Sequence, residues 1–538
     1  MKRLFLSIFT LLAALHIDAV PANPRPFIYT QPDGTQITLT LIGDEHAHTY
    51  MDSEGYAVTI GDDGYARRSD TDARAMLAAR RQTRAKERLK DAEILKTRLR
   101  PVSGTDTHGL IILVDFDDLK FTNTQEAIYE QMNAEGYDKN DATGSARDYF
   151  TAQSSRQFVP TFDVVGPVTL DMPYRYYGGN NAAGSDRNAA TMIFSAVQKA
   201  AGNGLVDLTK YDADNDGIVD MVYIIYAGLG EADGGDPNTV WPHMWNLQAS
   251  AMFAYQQIQG KRLGLYACSA EYRSDQRVEE GKSFSGIGTF CHEYGHCIGL
   301  PDIYDVTYSG GYGMASYDVM SHGSYLNNGN TPPSYSGFER YSVGWMMYDD
   351  INVERDVTLS PIGDSNTAVR LSSPTNPDEY FVLENRQQEG WDAYLPARGL
   401  MITHIDYDEE VWDRNAVNAD PDHQHVKMMA ADNNWAASTQ SGDLYPGLLN
   451  NTSFTSTTTP NSLLWDGTNP GKNVTKITMD GTDVSFHVSI DASDVAIPTF
   501  NPDKYDRNTA SFNTLGQKVN GSFRGIVIKD NKKMTKNQ

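Results

Sequence analysis

Between Cys291 and Asp305 the chain reads CHEYGHCIGLPDIYD. His292 and His296 are four residues apart, so on a helix both imidazoles leave the same face and can grip one ion. Zinc takes neutral imidazole nitrogens and carboxylate oxygens in a tetrahedral set, and a catalytic site keeps one position for water. Glu293 lies about 100° around the same helix from His292, where its carboxylate can take a proton from water polarised by the ion. Gly299 accepts the left-handed backbone that ends a helix, and Pro301 disfavours helix at Leu300, so the chain can turn back beneath the ion. Asp302 and Asp305 then follow as candidate third ligands, since a carboxylate oxygen binds zinc at about the imidazole distance. The next glutamate is Glu339.

A second constellation, YDADNDGIVD, sets Asp212, Asp214, Asp216 and Asp220 around Gly217. Alternating carboxylates before a glycine turn wrap oxygens around a hard cation of calcium size, with the Ile218 carbonyl as a further donor. The run departs from a full twelve-residue calcium loop because no glutamate stands at the twelfth position. The competing interpretation is an acidic solvated turn.

These residues need elements to hold them. GLIILVDFDD and MVYIIYAG read as buried strands, and SARDYFTAQSS and NAATMIFSAVQKAA have helical spacing. The expectation is an α+β catalytic domain over 105–348. Before it, 23–104 alternates β-type runs with PDG, SEG and DDG turns and then becomes helical and basic, RRQTRAKERLKDAEILKTRLR. This is the layout of a β-rich propeptide with a linker open to cutting at basic residues. After it, 349–490 is β only, ending in the hairpin KITMDGTDVSFHV, and is expected to be β-sandwich-like. A linker and tail occupy 491–538.

Lys2 and Arg3 precede an apolar run from Leu4 to Leu15, with Ala19 and Ala22 behind it. That is a secretory signal peptide, assigned here to 1–22, and it predicts an exported protein with no transmembrane segment. The net charge of −25 argues against nucleic acid as a partner. Three cysteines, Cys268, Cys291 and Cys297, are too few for a disulfide framework.

The long form His-Glu-x-x-His-x-x-Gly-x-x-Asp resembles the metzincin group of zinc peptidases. That resemblance implies a methionine turn below the metal, for which SYDVM offers Met320, and it makes His322 and Tyr325 candidates for transition-state stabilisation. More closely, ARDYFTAQSSRQFVPTFDVVGPV, DADNDGIVDMVYIIYAGLGE, WPHMW, HEYGHCIGLPDIYD, YDVMSHGS, YFVLENRQQEGWDAYLP and GLMITHID resemble the immune inhibitor A-like secreted bacterial metalloproteases. The resemblance spans most of 108–485. It implies a zinc endopeptidase acting on proteins or peptides, made as a zymogen with its own propeptide as inhibitor and with calcium commonly bound, and it favours Asp302 over Asp305. With no cysteine in the first hundred residues, Asp44, Glu45, His46 and His48 are the candidates to block the metal. The tail SFNTLGQKVNGSFRGIVIKDNKK resembles C-terminal segments of exported Bacteroidetes proteins, which implies cell-surface sorting. The alternative class is a calcium-dependent adhesin on the same fold. Such a protein has no use for Glu293.

Overall fold

Strand β6 (Gly104–Asp115) buries Leu110 to Val114 completely, both faces included. Only a strand covered on two sides does this, and β6 is central to a mostly parallel sheet. The computed structural model describes residues 20–80 and 104–491, apart from His46, Asp62, Ala182, Ala183 and Pro374, together with the backbone of four short strands between Ser511 and Lys536. Residues 1–19, where the sequence suggests a signal peptide, and the basic stretch 81–103 lie outside the described residues.

The N-terminal unit is an antiparallel meander of β1 (Phe27–Thr30), β2 (Gln36–Asp44), β3 (Ala47–Asp52), β4 (Tyr56–Ile60) and β5 (Ala66–Asp72). Its core joins Val20, Leu39, Leu41 and Val58 to Ala232 and Trp241 of the next domain. In that domain, β7 (Phe158–Thr169), β6, β8 (Ile218–Leu229) and β10 (Arg262–Ser274) are parallel neighbours in this order. Two short strands, β9 (His243–Asn246) and β11 (Lys282–Phe284), run antiparallel to β10. Helices α1 (Gln125–Asn133), α2 (Ala146–Gln153) and α3 (Ala189–Gly202) flank the sheet, and α2 begins with a capping box between Ser145 and Asp148. Helix α4 (Gly288–Cys297) carries the histidines across one face.

Beyond Tyr348 the chain builds two sheets. One orders β12 (Asp349–Asp350), β14 (Val369–Ser372), β15 (Glu379–Arg386), β16 (Gly399–Asp406) and β17 (Val426–Met428); the other orders β13 (Arg355–Leu359), β19 (Asp483–Ile490) and β18 (Lys472–Asp480). Leu371, Phe381 and Ile402 of the first share a core with Val357, Val484 and Phe486 of the second, so the pair is a sandwich. The expected turn at Asp480 and Gly481 closes β18 onto β19, with Gly481 at φ 64°. The described residues up to Ile490 pack as one unit. Residues 491–538 form a second, whose four short antiparallel strands span Ser511–Asn513, Lys518–Val519, Gly525–Lys529 and Lys532–Lys536. Among the described residues no helix is long and apolar enough to cross a membrane.

Candidate metal centre

Helix α4 is buried along most of its length, with His292, Glu293 and His296 all at 1% exposure or less. Gly295 lies between the ligands because nothing larger fits: a Cβ there would meet the Met320 sulfur at 2.5 Å. The Met320 side chain is thus packed against the turn between the two histidines. The helix ends as expected at Gly299, whose φ of 101° suits glycine. Leu300 then donates from its backbone nitrogen to the Gly295 carbonyl at 3.0 Å.

Each imidazole is oriented from behind. His292 Nδ1 bonds the Val319 carbonyl at 2.8 Å and His296 Nδ1 bonds the Leu300 carbonyl at 2.8 Å. Those bonds make Nδ1 the protonated nitrogen and leave both Nε2 lone pairs pointing inward. The Nε2 atoms are 3.1 Å apart, and Asp302 Oδ1 lies 3.2 Å from one and 3.3 Å from the other. Three electron-pair donors facing one another without a shared proton repel, and a cation resolves the repulsion. The spacing fits: donors at zinc–ligand distance on a tetrahedron are about 3.3 Å apart. Burial opposes ionisation of Asp302, and positive charge beside it, whether on His296 and His292 or on an ion held between the three, outweighs burial and keeps the carboxyl below the usual range.

Asp305, the rival third ligand, points elsewhere. It accepts from the backbone nitrogens of Thr307, Gly310 and Gly311 and from the Thr307 hydroxyl, closing the loop after Asp302. Glu339 also stands apart, in a capping box with Ser336. Burial, then the neighbouring Asp318, push its carboxyl well above the ordinary value.

Asn415 is a contact that sequence reasoning missed. Its Nδ2 donates to Asp302 Oδ2 at 2.6 Å while its Oδ1 accepts from the Asp302 backbone nitrogen at 2.7 Å. It comes from a loop of the sandwich domain, 113 residues away. No local spacing announces such a partner.

The N-terminal segment enters the same place. Val20, fully buried, donates its backbone nitrogen to Glu293 Oε1 at 2.9 Å. Its carbonyl accepts from Trp241 Nε1 at 3.1 Å, and the Pro21 carbonyl accepts from the Tyr325 hydroxyl at 2.6 Å. Asn23 continues outward, with its nitrogen on the Ala232 carbonyl at 2.8 Å. His48, a candidate blocking residue, instead pairs with Glu231 at 3.0 Å and stacks on Trp241. Asp44 accepts from the Ala47 nitrogen, Glu45 is buried, and His46 is outside the described residues. His322 sits against Tyr304, its imidazole pushed down to about 4 by burial and then by His292.

At the acidic loop, Asp212, Asp214 and Asp216 bring carboxylate oxygens within 4.8 Å of one another. Asp212 accepts from the nitrogens of Asp216 and Gly217, the latter at φ 86°, and Asp220 accepts from Ala213. Ile218 opens β8, and its nitrogen donates to Asp216 Oδ1 at 2.8 Å. The Lys261 ammonium pairs with Asp212. A third cluster joins Asp406, His423 and His425. There His423 Nε2 bonds Asp406 Oδ2 at 2.7 Å and the rings stack at 14°, so their nitrogens lie in nearly parallel planes.

Residues 103–346 match the family model for the catalytic domain of immune inhibitor A peptidase M6. The chain is similar to the pre-pro-metalloprotease PrtV of Vibrio cholerae serotype O1, 25% identical over 291 residues that cover 45% of this chain and 31% of that protein. It is also similar to immune inhibitor A of Bacillus thuringiensis subsp. alesti, 29% identical over 266 residues that cover 42% of this chain and 38% of the relative. The chain spans about a third of the length of these curated relatives. The two histidines and the spaced aspartate brought to one point thus lie within the segment, residues 103–346, that matches the catalytic domain of immune inhibitor A peptidase M6, a family of zinc metalloendopeptidases.

Proposed function

We propose that the chain is a secreted zinc endopeptidase that hydrolyses peptide bonds in proteins and is made as a zymogen. The observation that carries this reading is the meeting of His292 Nε2, His296 Nε2 and Asp302 Oδ1 within 3.3 Å, beside Glu293. His292, His296 and Asp302 would hold the zinc. The ion supplies a Lewis acid toward water and the scissile carbonyl.

The protein's own residues do the rest. Glu293 takes a proton from the attacking water and returns it to the leaving nitrogen. Its burial excludes bulk water, which strengthens these proton contacts. Asn415 and the Val319 and Leu300 carbonyls keep the three donors aimed. Met320 packs beneath them as a floor. His322 stands in its neutral form near the metal ligands as a transition-state candidate, and Tyr325 brings a hydroxyl into the cleft.

Latency is explained by the segment 20–23. With Val20 on Glu293, the base is engaged and the cleft is filled, so the signal peptide ends before Val20 rather than at residue 22, and residues 20–104 act as propeptide, the β1–β5 sheet carrying the segment 20–23 into place. Calcium is assigned to Asp212, Asp214, Asp216, Asp220 and the Ile218 carbonyl, with the ammonium of Lys261 displaced from Asp212 when the ion binds. Residues 105–348 are the catalytic domain, 349–490 the sandwich, and 491–538 a sorting tail.

The reading is tested by casein zymography of wild type and Glu293→Ala, each with and without a chelator. Clearing by wild type alone, abolished by chelation, is expected. Equal clearing by both proteins would overturn the Glu293-assisted mechanism, and no clearing by either would leave the adhesin reading.

A further inference from the structure

Val20 does more than fill the cleft. Its nitrogen lies 2.9 Å from Glu293 Oε1, the carboxylate that returns a proton to the leaving nitrogen in the proposed reaction. A nitrogen held there stands where the leaving amine stands. Chain direction then fixes which carbonyl is which. The Val20 carbonyl is the first on the C-terminal side of that nitrogen, and the Pro21 carbonyl is the second.

Both carbonyls are held by donors on rigid supports. Trp241 Nε1 donates to the first at 3.1 Å and the Tyr325 hydroxyl to the second at 2.6 Å. Trp241 is 1% exposed. Its own backbone is pinned on both sides: its nitrogen donates to Asp186 Oδ2 at 3.0 Å and its carbonyl accepts from His243 Nδ1 at 2.6 Å. Tyr325 is 4% exposed, with the Arg273 guanidinium 5.2 Å over its ring. The two donors read main-chain oxygen, which every peptide presents at the same spacing, so they suit substrates of varied sequence. The Val20 side chain packs with Leu39, Leu41 and Val58 of its own N-terminal unit as well as with Ala232 and Trp241.

Resting on the proposed hydrolase reading, we infer that Trp241 and Tyr325 are substrate-positioning residues that hold the carbonyls of the first and second residues after the scissile bond, and that Val20 and Pro21 occupy those places as a tethered product. Residues 20–23 therefore mimic the C-terminal half of a cleaved substrate.

The test uses the full chain carrying Trp241→Phe or Tyr325→Phe, each of which keeps an aromatic ring and removes one donor. Hydrogen exchange at the Ala22 and Asn23 amides, followed in metal-free protein, is expected to quicken about fivefold with the rest of the chain unchanged, the size set by one neutral hydrogen bond. In the activated protein, Trp241→Phe raises KM about fivefold, with kcat changed less, on a peptide amide. On a matched peptide whose first carbonyl after the scissile bond is replaced by methylene, it leaves KM unmoved. Tyr325→Phe does the same for the second carbonyl, and it decides the matter alone if Trp241→Phe does not fold. Equal KM changes on the amide and methylene peptides, or unaltered exchange, would overturn the clamp while wild-type hydrolysis leaves the enzyme reading standing. Wild type without hydrolysis removes both.

Discussion

Val20 and Glu293 are 273 residues apart in sequence and 2.9 Å apart in space, backbone nitrogen to carboxylate oxygen. The contact engages the group that the chemistry needs free, using main chain rather than a specialised side chain. With no cysteine in its first hundred residues, the N-terminal part has no thiolate to place on a metal. Here the segment acts on the base.

Replacing Glu293 with Gln keeps the shape and removes the proton acceptor. Peptide hydrolysis is expected to fall by about 10²–10⁴-fold while one zinc per chain is retained. Elemental analysis of the purified variant beside its rate on a peptide substrate checks both halves. Loss of the metal with the rate would assign Glu293 to binding instead.

Asn415→Ala leaves all three donors in place but frees Asp302 to rotate. Zinc affinity is expected to drop about 10–100-fold, as for other residues that orient a ligand. Competition against a chelator of known affinity measures it. Unchanged affinity would mean that the loop before Asp302 suffices to aim the carboxylate.

His243 is 1% exposed, with Nδ1 on the Trp241 carbonyl and Nε2 on the Tyr266 hydroxyl. Burial pushes its imidazole down from 6.5 to about 4. A depressed value means that the folded state resists the proton more than the unfolded chain does. The associated stability is full above about pH 6.5 and is lost as pH falls towards 4, up to about 3 kcal/mol. His243→Gln should flatten the fall in denaturation midpoint between pH 6.5 and 4. A variant as acid-sensitive as wild type would place the effect in other groups.

Millimolar calcium is expected to raise the melting temperature of wild type by a few degrees and to leave Asp214→Asn unmoved. Differential scanning calorimetry with calcium and with magnesium distinguishes the hard-cation site from general screening of a chain of charge −25. Equal shifts in both proteins would return the loop to an acidic turn.

The candidate metal centre was legible because its logic is local. Four-residue spacing places His292 and His296 on one helix face, and Gly299 with Pro301 ends that helix, all within a dozen residues. Hydrophobic runs likewise marked β6 and β8, and Ser145 with its run marked α2. The order β7–β6–β8–β10 had no such trace, because neighbours in a parallel sheet are joined by long crossovers. Asn415, Trp241 and Val20 were invisible for the same reason. An asparagine in a polar loop, a tryptophan beside a proline and a valine near a signal sequence carry no periodicity that points to a partner in another domain. His48 misled because a histidine in an N-terminal unit suggests metal blockade, whereas here a buried glutamate claims it.

The amide of Asn415 has a bearing on how such proteins recombine. The family match stops at residue 346, yet the last hydrogen bonds on Asp302 are written at 415. Breakpoints drawn at the end of the matched segment would deliver a donor set whose third arm swings loosely. Shuffling the carboxyl-terminal half between relatives therefore preserves full metal retention only when the incoming module brings an equivalent carboxamide to that loop.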